Sequence, residues 1–312
     1  MNPMVDGSAE AIIRPAREED LPAALAVWYA DEVRGEPDLP PLSGVPAVLG
    51  HIWRTGTMYV AEREGRIVAF AAAVTRDRPG RDAETPDRVA FLTDLFVHPD
   101  EQSSHLGTKL LQRAMPAEDG IRCTASSDDP RALSLYIRAG MQPQWPNFSL
   151  RAISTQLHAL PPLDVAVDEA RPDDGELVRW DAEIGGRHRP VDHAFWAGAE
   201  RGVPMWLRRG KETIGYAYAR LGAGTLRYPD ACYIGPVGAR TPDQAQDCVL
   251  AAVTWARRHA PVVLLDVPGP HPALAPLLDA RFRITYFDTF VSTADPPFFD
   301  ARCYVGSGGS LF

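Results

Sequence analysis

The chain has 312 residues, 45% of them apolar and 23% charged, and a formal net charge of −9. That length suits two domains, the composition excludes global disorder, and the acidic balance argues against general nucleic-acid binding while suiting a cationic or neutral ligand. Cys123, Cys232, Cys248 and Cys303 show no CxxC pair and no metal spacing. They read as reduced thiols of a cytoplasmic protein.

The first residues, MNPMVDGSAEAII, carry no basic region and no long apolar core, and no run reaches transmembrane length. Neither secretion nor membrane insertion is expected. Glu10 to Pro15 reads as a short strand, followed by an amphipathic helix over Glu18 to Val33 with acidic residues at its start. A Pro-rich loop spans 36–44, and a second short helix runs from Val45 to Arg54. Trp28, Tyr29 and Trp53 sit on these two helices, where aromatics either pack the core or line a pocket. Met58 to Arg63 and Arg66 to Val74 read as a hairpin around Glu64-Gly65, followed by a polar loop over Thr75 to Asp87.

The stretch VAFLTDLFVHPDEQSSHLGTKLLQRAM, from Val89 to Met115, organises the first half. Val89 to Val97 is rich in β-branched and aromatic residues and reads as a buried strand that Pro99 and Asp100 end. His105 to Met115 puts Leu106, Leu110 and Leu111 on one face of a helix. The loop between aims unpaired N–H groups and the positive end of a helix dipole at one point, which is a place for a phosphate. Further on come a strand over Ile121 to Ala125, a helix begun by Asp129-Pro130 and closed by Gly140, and a strand over Asn147 to Ile153.

Two motifs in this half resemble those of the GNAT acetyltransferase superfamily. Leu95, Val97, Pro99, Gln102 and Gly107 fit its Leu-x-Val-x-Pro and Gln/Arg-x-x-Gly-x-Gly/Ala pattern, with His105 standing where a Gly is usual. Asp129, Ala132, Leu135, Tyr136, Gly140 and Met141 follow Asn-x-x-Ala-x-x-Leu-Tyr-x-x-x-Gly-Phe, with Asp129 for the Asn and Met141 for the Phe. The resemblance covers most of Ala11 to Ile153. It implies acetyl-CoA as co-substrate and no metal. The phosphates would be held by Gln102, Ser103, Ser104, His105, Leu106, Gly107 and Thr108, and Asp129 of the second motif would also bind the cofactor. The pantetheine arm would lie along Leu95, Phe96 and Val97, in a strand expected to bulge. Tyr136 would be the proton donor to the leaving thiolate; its other reading is a core aromatic. Asp94 is either the base or a structural carboxylate. Trp28, Tyr29 and Trp53 would line the acceptor pocket.

Past a linker at His158 to Asp164 the order of elements repeats. Arg14-Pro15 is echoed by Arg171-Pro172, Trp28 by Trp180, and ALSLYIRAGM from Ala132 by ALAPLLDARF from Ala273. The expectation is an α/β (mixed α+β sheet) fold of two tandem GNAT-like domains, 1–157 and 164–295, with a tail at 296–312. The second copy looks degenerate. No Gly stands one turn into its helix, Asp243 and Asp247 would repel a pyrophosphate, and Leu277 replaces Tyr136. The tail, with its Gly-Ser-Gly-Gly run, is expected to be extended and partly mobile. His188, Asp192 and His193 read as a solvated or hydrogen-bonded loop rather than a metal site. The function expected is transfer of an acetyl group to a primary amine of a small molecule or peptide, by a monomer or homodimer without nucleic acid or membrane. The alternative is a non-catalytic CoA-binding module of the same fold.

Overall fold

The structure, a computed structural model, describes residues 10–79, 88–102, 105–117, 120–308 and 311–312. The elements run β1 (Ile12–Pro15), α1 (Leu21–Gly35), α2 (Ala47–Thr55), β2 (Thr57–Arg63), β3 (Arg66–Asp77), β4 (Arg88–Val97), α3 (Leu106–Ala114), β5 (Ile121–Ser126), α4 (Pro130–Arg138) and β6 (Gln142–Ile153). The same order then recurs as β7 (Ala166–Glu169), α5 (Gly175–Gly185), α6 (Pro190–Gly198), β8 (Gly202–Arg209), β9 (Glu212–Arg220), β10 (Cys232–Ala239), α7 (Pro242–Ala256), β11 (Val262–Pro268), α8 (Leu274–Asp279) and β12 (Arg283–Ser292). Among the strands and α-helices of the described residues, only β13 (Tyr304–Val305) has no counterpart. Strand for strand and α-helix for α-helix the order repeats, and the tandem reading of the sequence is the fold observed.

By contacts the chain divides into two compact units, 1–74 with 94–117, and 75–93 with 118–312. The first contains the antiparallel strands β1, β2 and β3 and the last residues of β4. Helix α1 buries Leu21, Ala24, Leu25 and Val27, spaced three and four apart, as an amphipathic helix must to cover a sheet. Helix α3 buries Leu106, Leu110, Leu111 and Ala114 in the same way. Arg14 clamps Asp20 at 2.6 Å and Glu62 at 2.8 Å, tying β1 to β2 and to the turn before α1. The bond from Arg14 holds the Asp20 carboxyl below the usual range.

The second unit carries the strands β4, β5, β12, β6, β11, β10, β9, β8 and β7 in that spatial order. The last strand of each repeat is exchanged. β12 pairs antiparallel with β5 from Thr289↔Ser126 to Ser292↔Cys123, and β6 pairs with β11 from Val262↔Ile153 to Pro268↔Asn147. β6 and β12 pair with each other, Asn147 facing Asp288. The apolar core of this unit gathers on α7, whose Cys248 to Val253 are buried against β9, β10 and β11.

Several boundaries differ from the sequence reading. β3 continues to Asp77, so Thr75 to Asp77 are strand rather than loop; of what remains of that loop, Gly80 to Asp87 lie outside the described residues. β6 starts at Gln142, five residues early, because Trp145 is a ladder residue stacked on Phe290 at 4.9 Å and two prolines mask the strand pattern. His188 makes one isolated bridge to Asp77, but Asp192 and His193 are buried on α6, not in a solvated loop. Asp192 accepts from Arg76 Nη2 at 2.7 Å and from Arg76 Nε at 2.9 Å. His193 lies between Asp181 and Tyr218, 3.0 Å from each.

The tail is the largest correction. Phe299, Tyr304, Val305, Leu311 and Phe312 are all buried, and β13 pairs with β10, Val237↔Val305 and Gly238↔Tyr304. The main-chain oxygen of Phe312 accepts from Arg187 at 2.7 Å and from Arg189 at 2.6 Å. Glycine content misled here, because Gly235 and Gly306 serve close approach. A Cβ on Gly235 would lie 2.1 Å from the Gly306 oxygen.

Among the described residues no helix is long and apolar enough to cross a membrane, and no group of three or more His, Cys, Asp or Glu is placed to hold a metal ion. All four cysteines are free and buried, and burial pushes the Cys123 thiol up to about 12.

Candidate functional site

In the first unit the end of β4 leads into a short 3-10 turn, Pro99–Glu101, then Gln102, then α3. The main-chain N–H of His98 donates to the Val68 oxygen at 2.8 Å, which fixes where β4 ends against β3. Asp94, Leu95, Phe96 and Val97 are each half-buried, whereas Val89 to Leu92 are buried. Phe96 stacks on Phe70 at 5.7 Å.

His105, at the position where the family pattern has Gly, adopts φ 58° and ψ 13°, the left-handed region. Histidine is one of the few side chains enriched there, so the departure in sequence keeps the backbone turn at a cost of roughly 1–2 kcal/mol. Its side chain is exposed and caps no N–H of α3. The first intrahelical N–H bond is that of Lys109, to the His105 oxygen at 3.2 Å. The N–H groups of Leu106, Gly107 and Thr108 thus lead the helix, and such groups are an anion site. Ser103 and Ser104 lie outside the described residues.

Gln102 Nε2 donates to Asp31 Oδ1 at 3.5 Å, linking the loop to α1. On the same helix Trp28 and Tyr29 are half-buried, with ring centres 6.5 Å apart. The Tyr29 hydroxyl donates to the Leu39 oxygen at 3.2 Å. Trp28 bonds Glu32, whose carboxyl is raised by burial and by Asp31 and Glu36 nearby. Sequence reading passed over Asp31 and Glu32, although Glu32 stands one helical turn from Trp28, a spacing at which side chains meet. Trp53 instead pegs α2 to the segment before α1, its Nε1 donating to the Ala16 oxygen at 3.1 Å.

In the second unit Asp129 is the N-cap of α4. Its carboxylate accepts from the Arg131 N–H at 2.8 Å and pairs with the Arg131 guanidinium, also at 2.8 Å. That bond holds the Asp129 carboxyl below the usual range. Tyr136 is buried on α4. The parallel ladder of β4 on β5 has four rungs, Val89↔Ile121 to Leu92↔Thr124, with no register shift, and stops there. The Thr124 hydroxyl donates to the Leu92 oxygen at 2.8 Å at this last rung. β4 runs on for five residues past it.

The repeat makes the same break and then fills it. β10 and β11 share only two rungs, Cys232↔Val263 and Tyr233↔Leu264. Past them β13 takes the edge of β10, and the Ala239 N–H donates to the Cys303 oxygen at 2.9 Å. The segment is locked by a buried network on α5 and α6. Asp181 accepts from Arg189 at 2.7 Å and from Tyr216 at 2.5 Å, and Arg189 also bonds the Tyr304 hydroxyl. Burial alone would raise the Asp181 carboxyl, but Arg189 overrides it and holds it far below its usual range. Asp247, expected to repel phosphate, pairs with Arg209 at 2.6 Å.

The acetyltransferase (GNAT) domain family matches residues 54–142, the stretch that holds both motifs. No curated protein sequence matches the chain. Among solved structures, a putative acetyltransferase from Pyrococcus horikoshii is similar at TM-score 0.67 and 13% identity, over 97% of this chain and 96% of that one. A GCN5-related N-acetyltransferase from Sphaerobacter thermophilus is similar at TM-score 0.59 and 18% identity, over 90% and 95%. A tandem GNAT protein from the clavulanic acid biosynthesis pathway is similar at TM-score 0.56 and 14% identity, over 91% and 98%. Over residues 54–142 the chain thus matches the GNAT domain family, and its fold is the GNAT fold in tandem.

Proposed function

We propose that the chain is an N-acetyltransferase that moves an acetyl group from acetyl-CoA to a primary amine, using its first copy. The observation that carries this reading is the start of α3. His105 stands in a left-handed turn that a Gly takes freely, and the N–H groups of Leu106, Gly107 and Thr108, with no partner among the described residues, follow it. Acetyl-CoA would supply an activated thioester. Those N–H groups suit its pyrophosphate, with Gln102 beside them, and the residues of β4 beyond its last rung, through Leu95, Phe96 and Val97, suit pairing with an extended arm. A main-chain N–H there would polarise the thioester carbonyl. Tyr136 would give the departing thiolate its proton, and Asp94 would take one from the amine. The aromatic and acidic side chains of α1, Trp28, Tyr29 and Glu32, suit an acceptor that is cationic before it reacts. The second copy holds no second CoA, since the chain's own β13 lies on β10.

Release of free CoA thiol from acetyl-CoA, followed against a panel of primary amines and matching alcohols, tests the reading. Turnover with amines and none with alcohols is expected. Stoichiometric CoA binding with no turnover on any amine would leave the non-catalytic module instead.

A further inference from the structure

The exchanged strands β6 and β12 put a second group of residues on one face of the sheet in the second unit. The ladder is regular here, Trp145↔Phe290, Asn147↔Asp288 and Ser149↔Tyr286, so Trp145, Asn147, Asp288 and Tyr286 share a face. Asp266 on β11, opposite Ser149, joins them. Asp288 is 8% exposed and Trp145 is 9% exposed. Asn147 bonds Asp288, and Tyr233 bonds Asp266. Asp288 Oδ1 and Trp145 Nε1 are nevertheless buried with no partner among the described residues. One is an acceptor and the other a donor, and leaving each bare costs about 1–3 kcal/mol. Trp145 also forms part of a cleft of about 490 Å³ whose other walls are Pro270, Pro297, Phe298, Phe299 and the exposed Asp300–Arg302 ion pair.

We propose that this face is a binding site for a small primary amine carrying a neutral hydrogen-bond acceptor. Its ammonium is met by the Asp288 carboxyl, which gives up its proton to solvent as the cation binds, with Asp266 beside it, and its acceptor takes the Trp145 N–H. Aromatic rings and carboxylates together select a cation over a neutral molecule of the same shape. Trp145 and Tyr286 flank the Asp288–Asn147 pair along the strands, and Tyr286, 43% exposed, marks the side open to solvent. Nothing in the acyl-transfer reading uses these residues, and a chain that turned nothing over would still hold an amine here.

Calorimetry of the full chain against 4-amino-1-butanol, butylamine and 1-butanol tests it. Both amines should bind saturably and 1-butanol should not. Asp288→Asn, which keeps a bond to Asn147, should weaken both amines by about tenfold or more, the worth of a charge-assisted hydrogen bond. Trp145→Phe should weaken 4-amino-1-butanol and spare butylamine. Acetyl-CoA binding and the melting temperature, measured alongside, report folding. Equal heats for butylamine and 1-butanol would overturn the site. So would amine affinities unmoved in a folded Asp288→Asn or, should that variant fail to fold, a 4-amino-1-butanol affinity unmoved in Trp145→Phe.

Discussion

Tyr136 is buried on α4, so a change there risks packing as well as chemistry. Tyr136→Phe separates the two, because it keeps the ring and removes only the proton. A phenol is ordinarily a weaker acid than a thiol but can still donate a proton to a nascent thiolate in a transition state. General acid catalysis is worth about 10²–10⁴-fold, and turnover should fall within that range while acetyl-CoA affinity and melting temperature hold. A variant within a few-fold of wild type, with chemistry rate-limiting, would take the role from Tyr136. Asp288 gives a residue-scale prediction of another kind. Burial, with Asp266 beside it, pushes its carboxyl up to about 8 from an ordinary 3.8. The folded pKa is the higher one, so across roughly pH 4 to 8 the folded chain keeps a proton that the unfolded chain has lost. Stability therefore falls as pH rises through that window. Asp288→Asn should melt level with wild type at pH 4 and higher at pH 8. An offset that does not change with pH would mean that the carboxyl is not perturbed.

The turn into α3 is the element that decides whether the first copy holds a phosphate. His105 sits at φ 58°, tolerable for His and open to Gly, but costly for a β-branched residue. His105→Gly should keep or tighten CoA binding, and His105→Val should weaken it by straightening the turn, both read by calorimetry. Equal affinity in the two variants would show that the turn does not matter. At this scale much was legible in the sequence. The strand, turn and helix around Gln102 and Gly107 are marked by β-branched runs, Pro99 and apolar spacing. The pairing of β6 with β12 was not legible, because periodicity says which face of a strand is buried and nothing about which strand lies beside it. The tail was misread for a related reason. Its glycines signal freedom in isolation, but here Gly235 and Gly306 allow two backbones to touch. Asp31 and Glu32 match no motif of the sequence, and their place beside the loop comes from Gln102 and Trp28, which bond them.

Within the second unit the order of strands ties the end of the first copy to the second, rather than leaving two beads on a linker. β5 and β6 belong to the first copy, yet β12 of the second copy lies between them, paired to β6 over nine registered positions and to β5 over four. A chain cut at Pro161 therefore removes both neighbours of β6, and with them the cover over Trp145, Leu150 and Ala152, all now buried. Burial of one large side chain is worth roughly 1.5–3 kcal/mol, so a few such losses rival the whole stability of about 5–15 kcal/mol for an ordinary domain. The fragment of Met1 to Leu160 should be insoluble or melt without cooperativity when made alone. Made together with the fragment from Pro161 onward, it should recover as a complex that binds one acetyl-CoA, because β13 still lies on the edge of β10. Gly107→Glu in that complex should abolish the one site by setting a carboxylate at the start of α3. A Met1 to Leu160 fragment that is soluble, melts in one cooperative step and keeps full activity would show that the exchanged strands are dispensable. A second equivalent CoA site in the complex would show that β13 does not close β10.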